Sequence, residues 1–239
     1  KHSTAIYTKA GAKALNSGTA GNLISIGKNS AGMYTEGIDS LAQNDGNIII
    51  GEGSAGLYSS ASKSALTEAG AVNNGNITAQ EITPGIFSNS VTGIYITAGN
   101  EGYQKNGIIN FKGEGSTGIF NEGNFNMSGG TVSLQSLGGV AVYSKGQKAV
   151  TEISGGTIEV QDGSVALYAD NSTIKVSGGT FYIGAEGLLM SNYLSGGSAA
   201  LGQLHISNTP IAVIDNGGMA FYVEGESLSG ISGILNNLV

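Results

Sequence analysis

Residues 154–168 read Ser-Gly-Gly-Thr-Ile-Glu-Val-Gln-Asp-Gly-Ser-Val-Ala-Leu-Tyr, and both halves of this stretch return along the chain. The second half ends in a small, an apolar and an aromatic residue, and this phrase recurs about every 26 positions between Tyr7 and Ile214. Its copies are Ala5-Ile6-Tyr7, Gly32-Met33-Tyr34, Gly56-Leu57-Tyr58, Gly93-Ile94-Tyr95, Gly118-Ile119-Phe120, Ala141-Val142-Tyr143 and Ala166-Leu167-Tyr168, with weaker echoes at Leu188-Leu189-Met190 and Ala212-Val213-Ile214. A fixed period of roughly 20–50 residues is typical of repeat architectures, in which each unit buries its apolar face against its neighbours.

The first half supplies a second phrase, Gly-x-apolar, in step with the first. Its copies begin at Gly21, Gly46, Gly75, Gly107, Gly130, Gly156, Gly179 and Gly202. Positions two and four after each Gly are apolar, except in the first copy, where they are Leu23 and Ser25. The residues between them are mostly polar, and alternation with period two predicts a strand with one buried face. We expect one buried stack formed by Ile48, Ile77, Ile109, Val132, Ile158, Phe181 and Leu204.

A third, less regular strand lies between the phrases, most clearly at residues 149–153 and 173–176. Three short strands per repeat, separated by Gly, Asn and Ser turns, predict an all-β fold, a right-handed parallel β-helix (β-solenoid) of about nine coils. The 41 glycines argue against a helical solenoid, and a propeller blade needs a longer period. Because the register is continuous, we expect a single domain over residues 1–239.

Composition excludes several classes of function. The net charge is −7, there is no Arg, and the ten Lys are scattered, whereas nucleic-acid binding needs clustered cations. The absence of Cys excludes disulfides and zinc–thiolate sites. No apolar run approaches the roughly 18 residues of a membrane-spanning helix.

The two phrases, the Ser-Gly-Gly-Thr turns at residues 128–131, 154–157 and 177–180, and the lack of Cys resemble the passenger domains of Gram-negative type V autotransporters. The resemblance covers nearly the whole chain and is one of sequence texture, which β-helix proteins of phage tails and polysaccharide-degrading enzymes partly share. It implies a right-handed β-helix displayed outside the cell, usually carried by a C-terminal outer-membrane barrel. We therefore expect a monomeric fragment of a longer passenger, located at the bacterial surface.

The residues show no pattern typical of an active site. β-Helix glycosidases need two or three convergent carboxylates, and β-helix pectate lyases use Arg or Lys with calcium. The five Asp residues are spread widely, although two pairs could approach within a coil: Asp39 with Asp45, and Asp162 with Asp170; the fifth is Asp215. His2 and His205 have no partner at metal-ligand spacing. We predict no catalytic residue, no metal and no cofactor.

The aromatic position is the candidate binding surface. Strict alternation would place the rings outside, beside a shallow floor of the small residues two positions earlier, which suits sugar rings or a protein partner. In the opposing interpretation the strand ends at the aromatic residue and the rings only stack on one another. The candidate ligand-binding residues are Tyr34, Tyr58, Phe87, Ser88, Asn89, Tyr95, Phe120, Tyr143 and Tyr168.

Three of these candidates lie in a predicted insertion. By spacing, Phe87 and Tyr95 are equivalent aromatic positions separated by eight residues, which a coil can only accommodate as a loop. Loops on a rigid scaffold often carry function. Residues 60–65 are also expected to bulge, because the segment from Tyr58 to Gly75 is long.

These observations predict a non-catalytic surface adhesin passenger that attaches to host cells or other bacteria through a glycan or protein receptor. No nucleic-acid partner is expected, and membrane contact is expected only through a barrel outside this chain. Two alternatives remain open, namely a polysaccharide-acting β-helix enzyme and the scaffold passenger of an autotransporter toxin.

Overall fold

A computed structural model describes residues 3–18, 23–64, 68–161, 163–194, 203–208 and 210–225. Within these ranges the chain forms 27 strands and no helix, so no helix there could cross a membrane. In chain order the strands are β1 (Thr4–Lys9), β2 (Lys13–Asn16), β3 (Leu23–Ile26), β4 (Ala31–Glu36), β5 (Leu41–Asn44), β6 (Asn47–Ile50), β7 (Ala55–Ser60), β8 (Gly70–Asn73), β9 (Asn76–Ala79), β10 (Glu81–Thr83), β11 (Ile86–Phe87), β12 (Thr92–Ile96), β13 (Glu101–Gln104), β14 (Ile108–Phe111), β15 (Thr117–Asn121), β16 (Asn124–Met127), β17 (Thr131–Leu134), β18 (Val140–Lys145), β19 (Val150–Ile153), β20 (Thr157–Val160), β21 (Val165–Asp170), β22 (Thr173–Val176), β23 (Thr180–Ile183), β24 (Leu188–Leu194), β25 (Gln203–Ile206), β26 (Ile211–Ile214) and β27 (Met219–Gly225).

Three parallel sheets run side by side along the molecule. The first sheet has the order β1-β4-β7-β12-β15-β18-β21-β24-β27, the second β2-β5-β8-β13-β16-β19-β22-β25, and the third β3-β6-β9-β14-β17-β20-β23-β26. Each strand pairs with its equivalents one repeat before and one repeat after, so the chain visits the three sheets in turn. The fold is a parallel β-solenoid, as predicted.

Over the described residues the solenoid has slightly fewer complete turns than the nine predicted, because nine strands are present there only in the first sheet. The triplet 212–214 was assigned to that sheet, but it lies in β26 of the third sheet, beside β23. The ninth strand of the first sheet is β27, which pairs with β24. Each of the three sheets has apolar residues facing the core, so an apolar triplet could belong to any of them, and residue type alone does not assign it to one sheet.

The inward residues of the third sheet form the predicted stack. Consecutive members pair in register and are buried: Ile24, Ile48, Ile77, Ile109, Val132, Ile158 and Phe181. A second inward row runs beside it through Ile50, Phe111, Leu134, Val160 and Ile183. Each such side chain contributes roughly 1.5–3 kcal/mol on burial, so the stacked rows form the core of the rod.

Two predictions about this sheet were wrong: the register of the first copy of the phrase, and the place of Leu204 at the end of the stack. In the first copy the inward residues are Ile24 and Ile26, whereas Leu23 is 54% exposed. This copy is therefore shifted by one residue and has no polar member. At the other end, Leu204 pairs with Ile174 in the second sheet, so it does not follow Phe181.

A ladder of buried amides lies at the ends of four strands of the second sheet. The Nδ2 of Asn16 donates to Oδ1 of Asn44 (2.7 Å), Asn44 donates to Asn73 (2.8 Å), and Asn73 donates to Oε1 of Gln104 (2.9 Å). The Nε2 of Gln104 then donates to the carbonyl of Asn106 (2.6 Å). Each asparagine side-chain amide donates a hydrogen bond to the amide oxygen of the next coil, so these polar groups are buried with their hydrogen bonds made.

The Ser-Gly-Gly-Thr turns need both glycines. The second one has positive φ in all three turns, at Gly130 (75°), Gly156 (89°) and Gly179 (96°). The first one passes close to the preceding coil, since a Cβ on Gly155 would lie 2.6 Å from the carbonyl oxygen of Ser128. The repeated turn is therefore explained by backbone geometry and close approach.

Replacing Ile158 with Asp should severely destabilise the rod. The side chain is 1% exposed between like apolar neighbours, so the variant buries an unpaired carboxylate and should lose more than about 4 kcal/mol of unfolding free energy. Glu159→Asp places the same residue one position later on the outward face, and we expect its melt to match the parent. Urea unfolding measures both, and equal stability of the two variants would contradict the register.

Candidate functional site

The strands of the first sheet depart from simple alternation. In β4, Ala31 and Tyr34 are half-buried and face outward, whereas Gly32 and Met33 between them are both buried. A Cβ on Gly32 would lie 2.9 Å from Cγ2 of Ile48 in the core and 2.6 Å from the carbonyl oxygen of Gly56. The predicted floor of small residues two positions before the rings was therefore wrong. The outward row three positions before the rings is formed by Thr4, Ala31, Ala55, Thr92, Thr117, Val140 and Val165.

Seven aromatic rings stand in register on the outer face of the same sheet. This aromatic column consists of Tyr7, Tyr34, Tyr58, Tyr95, Phe120, Tyr143 and Tyr168. Neighbouring ring centroids are 4.8–5.3 Å apart, a spacing imposed by the strands. Tyr58, Tyr95 and Phe120 are nearly parallel, with interplanar angles of 4° and 15°, whereas Tyr34 meets Tyr58 at 87°. The rings do stack on one another, yet from Tyr34 to Tyr168 they are only half-buried.

Carboxylates hold the hydroxyl ends of three rings. Tyr34 donates to Oε2 of Glu36 (3.0 Å), and Tyr143 donates to Oδ2 of Asp170 (3.4 Å). A similar bond joins Tyr95 to Glu122 (3.5 Å). These carboxylates lie on the side of the column opposite the row of Ala31, so the hydroxyl ends point away from that row.

Two of these groups have strongly shifted pKa values. Hydrogen bonds from Lys9 above all, and from Tyr7 and Tyr34, lower the pKa of Glu36 to about 2. Burial, with the charge of Asp170, raises the pKa of Tyr143 to about 12. At neutral pH the far edge of the column therefore carries an ionised carboxylate at Glu36, and Tyr143 stays uncharged.

A groove of about 540 Å³ lies between the aromatic column and the corner that joins the third sheet to the first. Its floor is formed by Thr4, Ala31, Ala55 and Thr92. One wall is formed by the rings of Tyr34, Tyr58 and Tyr95, and the other wall, at the corner, by Ser3, Asn29, Ser30 and Gly53. None of these residues is charged. Lys28 and Glu52, which belong to the same corner, form an ion pair with each other.

The groove brings together three of the predicted site residues, Tyr34, Tyr58 and Tyr95. Phe120, Tyr143 and Tyr168 continue the aromatic column beyond it. The other predicted residues do not belong to the column. Ser88 is 2% exposed, and the Oδ1 of Asn89 accepts a hydrogen bond from the backbone N–H of Glu114 (3.0 Å).

The equivalence of Phe87 and Tyr95 was wrong, because the inserted residues leave the rod earlier. Thirteen positions separate Ala79 from Thr92, compared with five between the equivalent residues Ile50 and Ala55. β10 and β11 pair antiparallel as a small hairpin. A hydrogen bond from the N–H of Ser88 to the carbonyl of Gln80 (2.8 Å) closes its base. The side chains of Ile82 and Ile86 on it are exposed.

The predicted bulge at residues 60–65 lies within the described residues except for residue 65. Strand β7 ends at Ser60, and residues 61–64 form no strand; residue 65 lies outside the described residues. Ser64 donates through its N–H (2.8 Å) and its Oγ (2.7 Å) to the carboxylate of Asp39.

The other acidic candidates are engaged in turns. Asp45 accepts hydrogen bonds from Nε2 of Gln43 (2.9 Å) and Nδ2 of Asn74 (2.8 Å). Asp162 and His2 lie outside the described residues, and the backbone of His205 pairs with Lys175 in the second sheet. Among the residues with a described placement, no group of three or more acidic or histidine side chains could hold a metal ion.

No protein-family model, curated protein or solved structure matches this chain. The structure defines a parallel β-solenoid with an aromatic column on one face and an uncharged groove beside it. This groove is the candidate functional site.

Deleting residues 81–87 should leave the rod folded. The base of the hairpin is already closed, and joining Gln80 to Ser88 leaves six positions between Ala79 and Thr92, as between Phe111 and Thr117 in the next turn. Deleting residues 87–94 instead removes the core residues Val91 and Ile94, both fully buried, and should prevent folding. Circular dichroism melts of the two deletions distinguish them, and an unfolded first variant would show that the hairpin is structural.

Acid should remove the stabilisation supplied by Glu36. Its pKa of about 2 in the folded chain lies below the ordinary 4.5, so its contribution is complete above about pH 4.5 and is lost as the pH falls towards 2. Glu36→Gln should melt below the parent at neutral pH and lose less stability between about pH 5 and 2. Glu152→Gln, which removes a carboxylate paired with Lys175, is the control. Parallel pH profiles for the parent and Glu36→Gln would contradict the assignment.

Proposed function

We propose that this chain is a non-catalytic binding rod of the adhesin kind, displayed at the bacterial surface, and that the groove beside the aromatic column receives its receptor. The single observation that carries the proposal is the combination of exposed ring surface with an uncharged, concave floor on a rigid sheet. The location at the cell surface is supported by the resemblance to autotransporter passengers.

The groove has the features of a recognition site. Binding sites are concave and mostly apolar, with a few polar groups that fix orientation. Here the apolar part comes from Tyr58, Tyr95 and the methyl group of Ala55, and the polar part comes from the hydroxyls of Thr4 and Thr92. The strands on either side hold all of these residues in register, so little ordering is needed when a ligand binds.

The rings themselves are poor positions for a first test. Each ring between Tyr34 and Tyr143 stacks on two neighbours, and such pairs are each worth about 0.5–1.5 kcal/mol beyond their burial. A loss of binding after Tyr95→Ser would therefore mix a local loss of stability with a lost contact. The floor allows a cleaner test, because a larger side chain there fills the groove and leaves every ring in place.

Replacing Ala55 with Gln should abolish attachment. We expect beads coated with the variant to bind epithelial cells or other bacteria at least about tenfold less than beads with the parent chain, the effect of losing about 1–2 kcal/mol at a central contact. Val165→Gln is the matched control, since Val165 occupies the same outward row outside the groove. Equal attachment by the parent and both variants, with unchanged melts, would contradict the proposal.

A further inference from the structure

We infer that the ligand of the groove is an uncharged, linear oligosaccharide that lies along the rod axis. This inference rests on the proposed function and specifies its ligand. Three observations support it: the charge of the lining, the length and direction of the groove, and the orientation of the rings.

The charges around the groove favour a neutral ligand. The lining offers no cation to pair with an acidic sugar, and the nearest lysine in the corner, Lys28, is already paired with Glu52. At the far edge of the column, Lys9 is likewise paired, with the carboxylate of Glu36 (2.8 Å). An acidic chain would therefore find no unpaired lysine among these groups to offset the removal of its charges from water. A cationic chain would find no carboxylate within the lining itself.

The direction of the groove favours a linear chain. Its floor residues come from four strands that are consecutive in the first sheet, β1, β4, β7 and β12. At one strand spacing per step, this floor is about 14 Å long. A linear chain of pyranose units advances by about one strand spacing per unit, so successive sugars would meet successive coils. Hydroxyls of Thr4 and Thr92 lie near the two ends, where they can bond sugar hydroxyls.

The rings border such a chain along the groove. Tyr58 and Tyr95 are stacked with centroids 4.8 Å apart and an interplanar angle of 4°, so their faces are turned mainly towards each other. Tyr34 lies at 87° to Tyr58, so its face is turned away from the stacking direction. The face of an aromatic ring carries the negative part of its quadrupole and suits the C–H bonds of a sugar ring.

The groove also has an end. The smallest floor residues are Ala31 and Ala55, and beyond Thr92 the row continues with Thr117, Val140 and Val165, none of which is as small. In the coil that contains Thr92, the hairpin of β10 and β11 leaves the rod at the corner wall. These two features limit the ligand to about three or four sugar units.

The test is a calorimetric titration of the whole chain with β-1,4-linked glucose and N-acetylglucosamine oligomers of one to six units. Matched uronic acid and glucosamine oligomers provide the acidic and cationic arms. For at least one neutral series, we expect the Kd to fall by tenfold or more between one sugar unit and three, which corresponds to about 1.4 kcal/mol of binding free energy. Beyond four units the Kd should change little. The acidic and cationic chains should bind at least about tenfold more weakly. Ala55→Gln should abolish binding, and Val165→Gln should preserve it.

Other outcomes separate this inference from the proposed function. If cells attach and Ala55→Gln abolishes attachment, but no neutral oligosaccharide binds or competes, the groove is a receptor site and the inference is overturned. Tighter binding of acidic or cationic chains, or a Kd that does not depend on length, would also overturn it. If Ala55→Gln leaves attachment unchanged, the proposed function fails as well. Glu36→Gln provides a last check: it releases Lys9 from its carboxylate partner and should therefore narrow the difference in Kd between neutral and acidic chains.

Discussion

Backbone hydrogen bonds between neighbouring coils hold each residue beside its equivalent one repeat away. The N–H groups of Thr131, Thr157 and Thr180, for example, each donate to the glycine carbonyl of the preceding coil at 2.9 Å. Every side chain is therefore surrounded by copies of its own position at one strand spacing. Isoleucines, amides and rings gain from such neighbours, whereas like charges repel. Opposite charges lie side by side at two such outward places, Lys9 beside Glu36 and Glu152 beside Lys175.

The same constraint explains how much of the fold the sequence predicted. Period and alternation together predicted the parallel solenoid and the inward stack from Ile48 to Phe181, because any residue that faces the core must be apolar in nearly every coil. The prediction failed at the end strands of the sheets, which have a neighbouring strand on one side only. At Leu23 and Leu204, a shift by one residue or by one sheet keeps an apolar residue in place, so residue type could not detect it. The strand pairings were needed to assign both.

The candidate site was harder to predict, because it depends on local departures from alternation. Two consecutive buried residues, Gly32 and Met33, move the floor from the glycines to the row of Ala31. The hairpin was detectable as extra length, but spacing alone matched Phe87 to the aromatic column. The amide ladder has a signal in the sequence: Asn44, Asn73 and Gln104 each stand two or three positions before the glycine that precedes the next strand. An amide recurring at that place indicates a buried ladder.

The two interpretations of the aromatic position need not exclude each other. The column extends over seven coils, whereas the groove beside it extends over four. The residue type of the rings changes little along the column, whereas the floor row contains alanine only at Ala31 and Ala55. Stacking therefore accounts for the aromatic repeat in these seven coils, and the small floor residues decide where the same rings are open to a ligand. A binding site on such a rod can be created or moved by exchanging small outward residues, without disturbing the stack that supports it.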